Sequence, residues 1–154
     1  MSISNNRLIV YKASAGSGKT FTLAIEYISL LINNPRSYEN ILAVTFTNKA
    51  TEEMKMRILS QLYGISKKLP DSNNYLKMVM KKTGKSENEV IKNASITLSY
   101  LIHNYNYFRV QTIDAFFQSI LRNLARELDL TANLRIDLND RQVEEYAVEE
   151  LIES

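Results

Sequence analysis

The 154-residue chain has no cysteine, which excludes disulfides and any zinc site built on thiolates, and it mildly favours an intracellular setting. It has one histidine, His103, so a multi-histidine metal centre is excluded and His103 reads as a helix-surface residue. Long apolar runs are also missing. None approaches the roughly 20 residues needed to span a bilayer, and the opening Met-Ser-Ile-Ser-Asn-Asn lacks the charged-then-apolar build of a signal peptide. No membrane contact and a cytoplasmic location are therefore expected. The length fits one domain with a real core.

The near-neutral total of +2 hides an asymmetry. Residues 1–136 hold 18 Lys/Arg against 10 Asp/Glu, whereas residues 137–154 hold one arginine against seven acids. A basic body suits a polyanion, because cations that neutralise phosphates gain from counterion release. It equally suits a solvated surface, so charge alone does not choose.

What is present starts at residues 13–20, Ala-Ser-Ala-Gly-Ser-Gly-Lys-Thr, between the apolar run 8–11 and an amphipathic stretch, 21–32. Strand, glycine-rich loop and helix in that order make a phosphate-binding loop. Backbone N–H groups of Ala15, Gly16, Ser17, Gly18, Lys19, Thr20 and Phe21 would converge on a triphosphate at the positive end of the helix. Lys19 would reach the outer phosphates, and Thr20 would offer its hydroxyl to Mg²⁺. The loop departs from the general pattern at its first position, where Ala13 replaces glycine. ATP and Mg²⁺ are the expected cofactors, with Lys19 and Thr20 as the residues on which catalysis depends.

Strands and helices are expected to alternate. Strands are read at 8–11, 41–46 and 108–111, and helices at 19–32, 49–63, 115–128 and 141–152. Asn33-Asn34-Pro35 ends the first helix, and the continuous apolar run 41–46 reads as a strand buried on both faces. Residues 64–106 interrupt this alternation as an all-helical insertion, with Ser86 and Glu89 as a capping box. The expected fold is α/β: a parallel sheet flanked by helices, of the P-loop kind. Its organisation is 1–63 for the loop and second-strand units, 64–106 for the insertion, and 107–154 for the third strand and last helices.

Three segments in this order resemble superfamily 1 DNA helicases of the UvrD/Rep type. Residues 41–58, ILAVTFTNKATEEMKMRI, are similar to motif Ia of that family. Residues 110–122, VQTIDAFFQSILR, are similar to its later DNA-contacting motif. The loop with Phe-Thr-Leu after it, the insertion of roughly fifty residues and the segment 130–138 resemble the RecB/AddA branch, the helicase–nuclease subunits of exodeoxyribonuclease V. The resemblance implies an ATP-driven DNA translocase acting in double-strand-break repair, its partners being DNA and a second subunit. It also implies DNA contact by Thr45, Phe46, Thr47, Asn48 and Thr112. On residue chemistry alone Phe46 could instead be core, and Thr45 and Thr47 ordinary strand-end residues. Asp114 stands where the family often has histidine; a carboxylate repels a phosphodiester, so Asp114 reads as a helix-start residue.

The insertion carries Lys67, Lys68, Lys77, Lys81, Lys82, Lys85 and Lys92 against three acids. They are expected as a solvated face with Tyr75, Tyr100, Tyr105 and Tyr107 packed beneath, base stacking being the competing role. The acidic helix at 141–152 reads as a solvated face or one side of a contact. Hydrolysis also needs an aspartate that helps hold Mg²⁺ and a glutamate that orients water. No strand ending in Asp-Glu occurs, and Glu52-Glu53, Glu144-Glu145 and Glu149-Glu150 all lie in helical patterns. The chain is therefore expected to be the N-terminal part of a larger enzyme, binding nucleotide without turning it over. A free-standing nucleotide-dependent interaction module and a small phosphotransferase are the alternatives.

Overall fold

Ala24, Ile25, Ile28, Leu31 and Ile32 recur at helical spacing, and their common burial draws Lys19–Asn33 into the first helix, α1. The computed structural model describes residues 18–127. Of these, 18–112 belong to one compact unit and 113–127 to another. The expected strand at 8–11, the loop residues before Gly18, the segment 130–138 and the helix at 141–152 lie outside the described residues.

The stop signal after α1 works as read. The Arg36 N–H donates to Asn34 Oδ1 at 3.1 Å and the Ser37 hydroxyl donates to the Asn34 carbonyl at 2.7 Å, which turns the chain around Pro35. After a single turn at Ser37–Asn40 comes strand β1, Ala43–Thr45, and then helix α2, Asn48–Ser66. One turn at Pro70–Ser72 leads into α3, Asn73–Thr83, and Ser86 opens α4, Glu87–His103. Glu89 Oε2 accepts from the Ser86 hydroxyl at 2.7 Å and the Ser86 N–H at 3.0 Å. This is the capping box read from the sequence, and the hydroxyl foremost holds the Glu89 carboxyl below its ordinary range. The turn Tyr105–Tyr107 precedes strand β2, Val110–Thr112.

β1 and β2 are parallel neighbours, with Ala43 opposite Val110, Val44 opposite Gln111 and Thr45 opposite Thr112. The parallel pairing read from the sequence is present. The strands themselves are shorter than expected, and the reading of 41–46 as buried on both faces is corrected. Ala43 is buried, but Leu42 and Val44 are 40% and 41% exposed. Side chains alternate across a strand, and α2 packs against these two strands so that only alternate residues are covered. At the start of the expected third strand, Phe108 is a core residue instead, 2% exposed, its ring edge-on to Tyr27 at 5.7 Å.

The insertion shares the core of the elements around it. Tyr75, Leu76 and Val79 from α3, and Val90, Ala94 and Leu101 from α4, join one buried cluster with α1, Met54, Ile58 and Leu62 of α2. Asn93 and Thr97 of α4 donate to the carbonyls of Ile32 and Leu31 at 2.9 and 3.5 Å, tying α4 to the end of α1. Helix α2 turns into the insertion at Gly64, where an added Cβ would lie 1.9 Å from the Ser72 hydroxyl, itself buried. Gly64→Ala is therefore expected to destabilise the chain despite the roughly 1 kcal/mol that alanine gains in a helix, because overpacking costs about 1–3 kcal/mol or more. A melting temperature unchanged from wild type would show that Ser72 yields freely.

In the second unit, α5 spans Ile113–Glu127 with Asp114 in its first turn, as the sequence reading had it. Phe117, Ile120, Leu121 and Leu124 form an exposed apolar stripe on this helix.

Candidate nucleotide and nucleic-acid site

Gly18 has φ +63°, in the left-handed region that glycine reaches without strain, and its carbonyl accepts the Thr22 N–H at 2.8 Å to start α1. Among the described residues no side chain caps this helix, and its first turn holds no acidic residue. The positive end of this fifteen-residue helix would suit an anion such as the phosphates of a nucleotide. Lys19 and Thr20 are both exposed at that end. Phe21 is half-buried, and its ring meets Tyr75 edge-on at 4.6 Å, which anchors the start of α1 to α3. Ala15, Gly16 and Ser17 lie outside the described residues.

At the strand ends, register brings two of the sequence candidates side by side, because Thr45 and Thr112 are paired at the carboxyl ends of parallel strands. Open α/β sheets take ligands at that edge. Between Thr45 and α2 the chain makes a turn held by hydroxyls. Thr45 Oγ1 and Thr51 Oγ1 are 2.6 Å apart, and each lies 3.2 Å from the Thr47 carbonyl. Thr47 Oγ1 accepts the Ala50 N–H at 3.1 Å and so caps α2. With the hydroxyls on both sides engaged inward, Phe46 is turned out and stands 86% exposed. Phe46 is not part of the buried core of the described residues. Thr45 and Thr47 shape the turn, while Asn48 is exposed at the start of α2.

The sequence reading missed Thr51. Its spacing, four residues after Thr47 and six after Thr45, was the available signal, since one helical turn returns Thr51 to the Thr47 carbonyl. Missed too was the pairing of Lys55 with Tyr105, the ammonium lying 5.1 Å from the ring centroid.

The four insertion tyrosines divide. Tyr75 is buried, and Tyr100 is half-buried, stacked on Tyr38 at 6.4 Å with the Arg36 guanidinium over its ring, as expected of tyrosines beneath a lysine face. Tyr105 and Tyr107 are instead 47% and 52% exposed. The lysines are mostly solvated; Lys68 pairs with Glu87 at 3.0 Å, and Lys82 with Glu26. His103 is exposed at the end of α4, its Nδ1 2.7 Å from the Ser99 carbonyl. Among the described residues no three His, Cys, Asp or Glu side chains cluster as a metal site would need, and no helix is long and apolar enough to cross a membrane.

A helix start behind a glycine, in the same unit as an exposed aromatic at the end of a parallel two-stranded sheet, is consistent with a nucleotide-binding domain of α/β build. Residues 2–153 match the UvrD/REP helicase N-terminal domain, and the chain belongs to that family. It is similar to the RecBCD enzyme subunit RecB of Buchnera aphidicola subsp. Acyrthosiphon pisum, at 35% identity over 76% of this chain and 10% of that protein. A second RecB, from Borreliella burgdorferi, is 33% identical over 82% of this chain and 10% of its own length. An ATP-dependent helicase/nuclease subunit from Bacillus cytotoxicus is 30% identical over 96% of this chain and 11% of its own length. The chain thus spans about a tenth of the length of the curated relatives it matches. No solved structure matches it.

Proposed function

We propose that this chain is the ATP- and DNA-engaging first segment of an ATP-dependent DNA helicase–nuclease of the RecB/AddA kind, acting in repair of double-strand breaks with a second subunit. The observation that carries the reading is the turn at the end of β1, which spends its hydroxyls on its own shape and leaves Phe46 exposed next to Thr45, the residue paired with Thr112. An exposed phenylalanine at a sheet edge costs solubility and offers a stacking face to a base.

In this reading the backbone N–H groups at the start of α1, with Ala15, Gly16, Ser17 and Gly18, bind the phosphates of ATP. Lys19 neutralises the outermost of them, Thr20 offers a hydroxyl to Mg²⁺, and Phe21 keeps the helix start fixed against α3. The nucleotide supplies the free energy that drives movement along DNA. Phe46 stacks on a base of a single strand. Asn48 and Thr112 bond the strand's phosphates or sugars, and Thr45 and Thr47 hold the turn. The carboxylates that hold Mg²⁺ and orient water belong to sequence beyond this segment, so the chain alone binds ATP without turning it over.

Two measurements on the 154-residue chain test this. Mg·ATP is expected to raise its melting temperature by a few degrees through mass action, since a ligand that binds only the folded state stabilises it. Steady-state phosphate release is expected to stay at background. A melting temperature indifferent to Mg·ATP counts against the nucleotide site, and clear turnover would reveal a catalytic carboxylate within the chain.

A further inference from the structure

Beyond the turn that presents Phe46, the solvent side of α2 forms one wall of a groove. Asn48, Thr51, Glu52, Lys55 and Met56 recur at helical spacing along it, and Tyr105 also lines this half-open cleft of about 560 Å³. That volume lies within the roughly 300–1,000 Å³ of ligand sites. The Tyr105 ring is set by the core, because Phe108 beneath it is buried and meets it edge-on at 6.0 Å. Its exposure is therefore built in and does not come from a loose side chain. Met56, 66% exposed, adds an apolar lip.

Asn48 belongs both to the turn after Phe46 and to this groove, so the two are continuous. From Asn48 to Lys55 the helix advances about 10 Å, room for the next nucleotide of a strand. We propose that the groove is a second nucleotide subsite for single-stranded nucleic acid, with Tyr105 as its stacking face and Lys55 as its phosphate contact. The inference rests on the DNA-binding reading of residues 45–48.

Lys55, half-buried, now covers the Tyr105 ring as a partly exposed cation–π contact, which the stacking of a base on the aromatic can match. An incoming base takes the ring. The displaced ammonium, on a flexible four-carbon stem, stays within the groove and meets the phosphate that arrives with the base. Glu52 on the same wall repels phosphate and so steers the strand's backbone to the Lys55 side.

The test is fluorescence anisotropy of a labelled oligothymidylate titrated with the wild-type chain and with Tyr105→Ala, Tyr105→Phe, Lys55→Gln and Phe46→Ala. Tyr105→Ala is expected to weaken binding about 5- to 150-fold, and Tyr105→Phe to bind like wild type, since stacking needs the ring and not the hydroxyl. Lys55→Gln should lower the slope of log K against log salt by about 0.7. A melt of each variant checks folding. Irradiation of the wild-type complex with a 5-bromodeoxyuridine oligonucleotide reads the contact without any mutation, and an adduct on the peptide carrying Tyr105 is expected. If Phe46→Ala weakens binding while Tyr105→Ala does not, and adducts stay off the Tyr105 peptide, the groove is not on the strand's path. The inference is then overturned although the proposed function stands. If the wild-type chain fails to bind the oligonucleotide at all, both fall.

Discussion

Lys19→Ala is expected to abolish DNA-stimulated ATP hydrolysis in the complete protein, a loss on the order of 10³-fold or more, the size associated with removing a cation from phosphoryl transfer. The helix dipole alone supplies only about half a unit of positive charge at the start of α1. Among the described residues no side chain caps that helix and its first turn holds no other charge, so in the proposed reading Lys19 supplies the rest. Its exposure means that truncation leaves the core untouched, and the melting temperature should not move. Phosphate release with and without single-stranded DNA checks this. Equal rates in variant and wild type would show that residues 13–20 are a glycine-rich turn and not the nucleotide site.

The second large effect concerns Phe46. Phe46→Ala is expected to weaken single-strand binding by about 1–3 kcal/mol, the worth of one base stacked on an aromatic, and to uncouple ATP hydrolysis from movement along DNA in the complete protein. Its stability should be unchanged. Truncating a buried phenylalanine costs about 3–5 kcal/mol, but this ring is 86% exposed and has almost no packing to lose. A thermal melt beside a DNA titration reads both. Normal binding by the variant would leave the exposed ring without a nucleic-acid role, whereas early unfolding would mean that Phe46 packs after all.

Helices were the most legible part of this chain. Periodic apolar residues, Asn34-Pro35 after α1 and the Ser86–Glu89 box are local signals, and each acts within a turn of where it is written. The strands were less legible. A run such as Ile-Leu-Ala-Val is compatible with burial on two faces or one, and the choice depends on which layers pack there. Here α2 packs against β1 and β2, leaving Leu42 and Val44 partly in solvent.

The candidate site divides along the same line. Residue type and spacing were enough to mark Gly18-Lys19-Thr20 at a helix start and Asp114 in the first turn of α5, because backbone geometry at a helix end depends on neighbours in sequence. They were also enough to bring out the helicase family, through three motifs in order. The fate of Phe46 was open in the sequence. An aromatic after an apolar run is chemically suited to a core or to a base; in the fold Phe46 is exposed, beside a turn that the hydroxyls of Thr45, Thr47 and Thr51 hold together. Tyr75 and Tyr105 likewise read alike in one dimension. Phe21 and the α1–α3 contact bury the first, whereas Phe108 and Lys55 hold the second at the surface of a groove. Which side chains face water is a property of the partners that long-range packing supplies. The tertiary structure therefore decided the exposed aromatics, the pairing of Thr45 with Thr112 and the groove along α2, while the sequence by itself determined most of the described helices, the stop after α1, the Ser86–Glu89 box and the family.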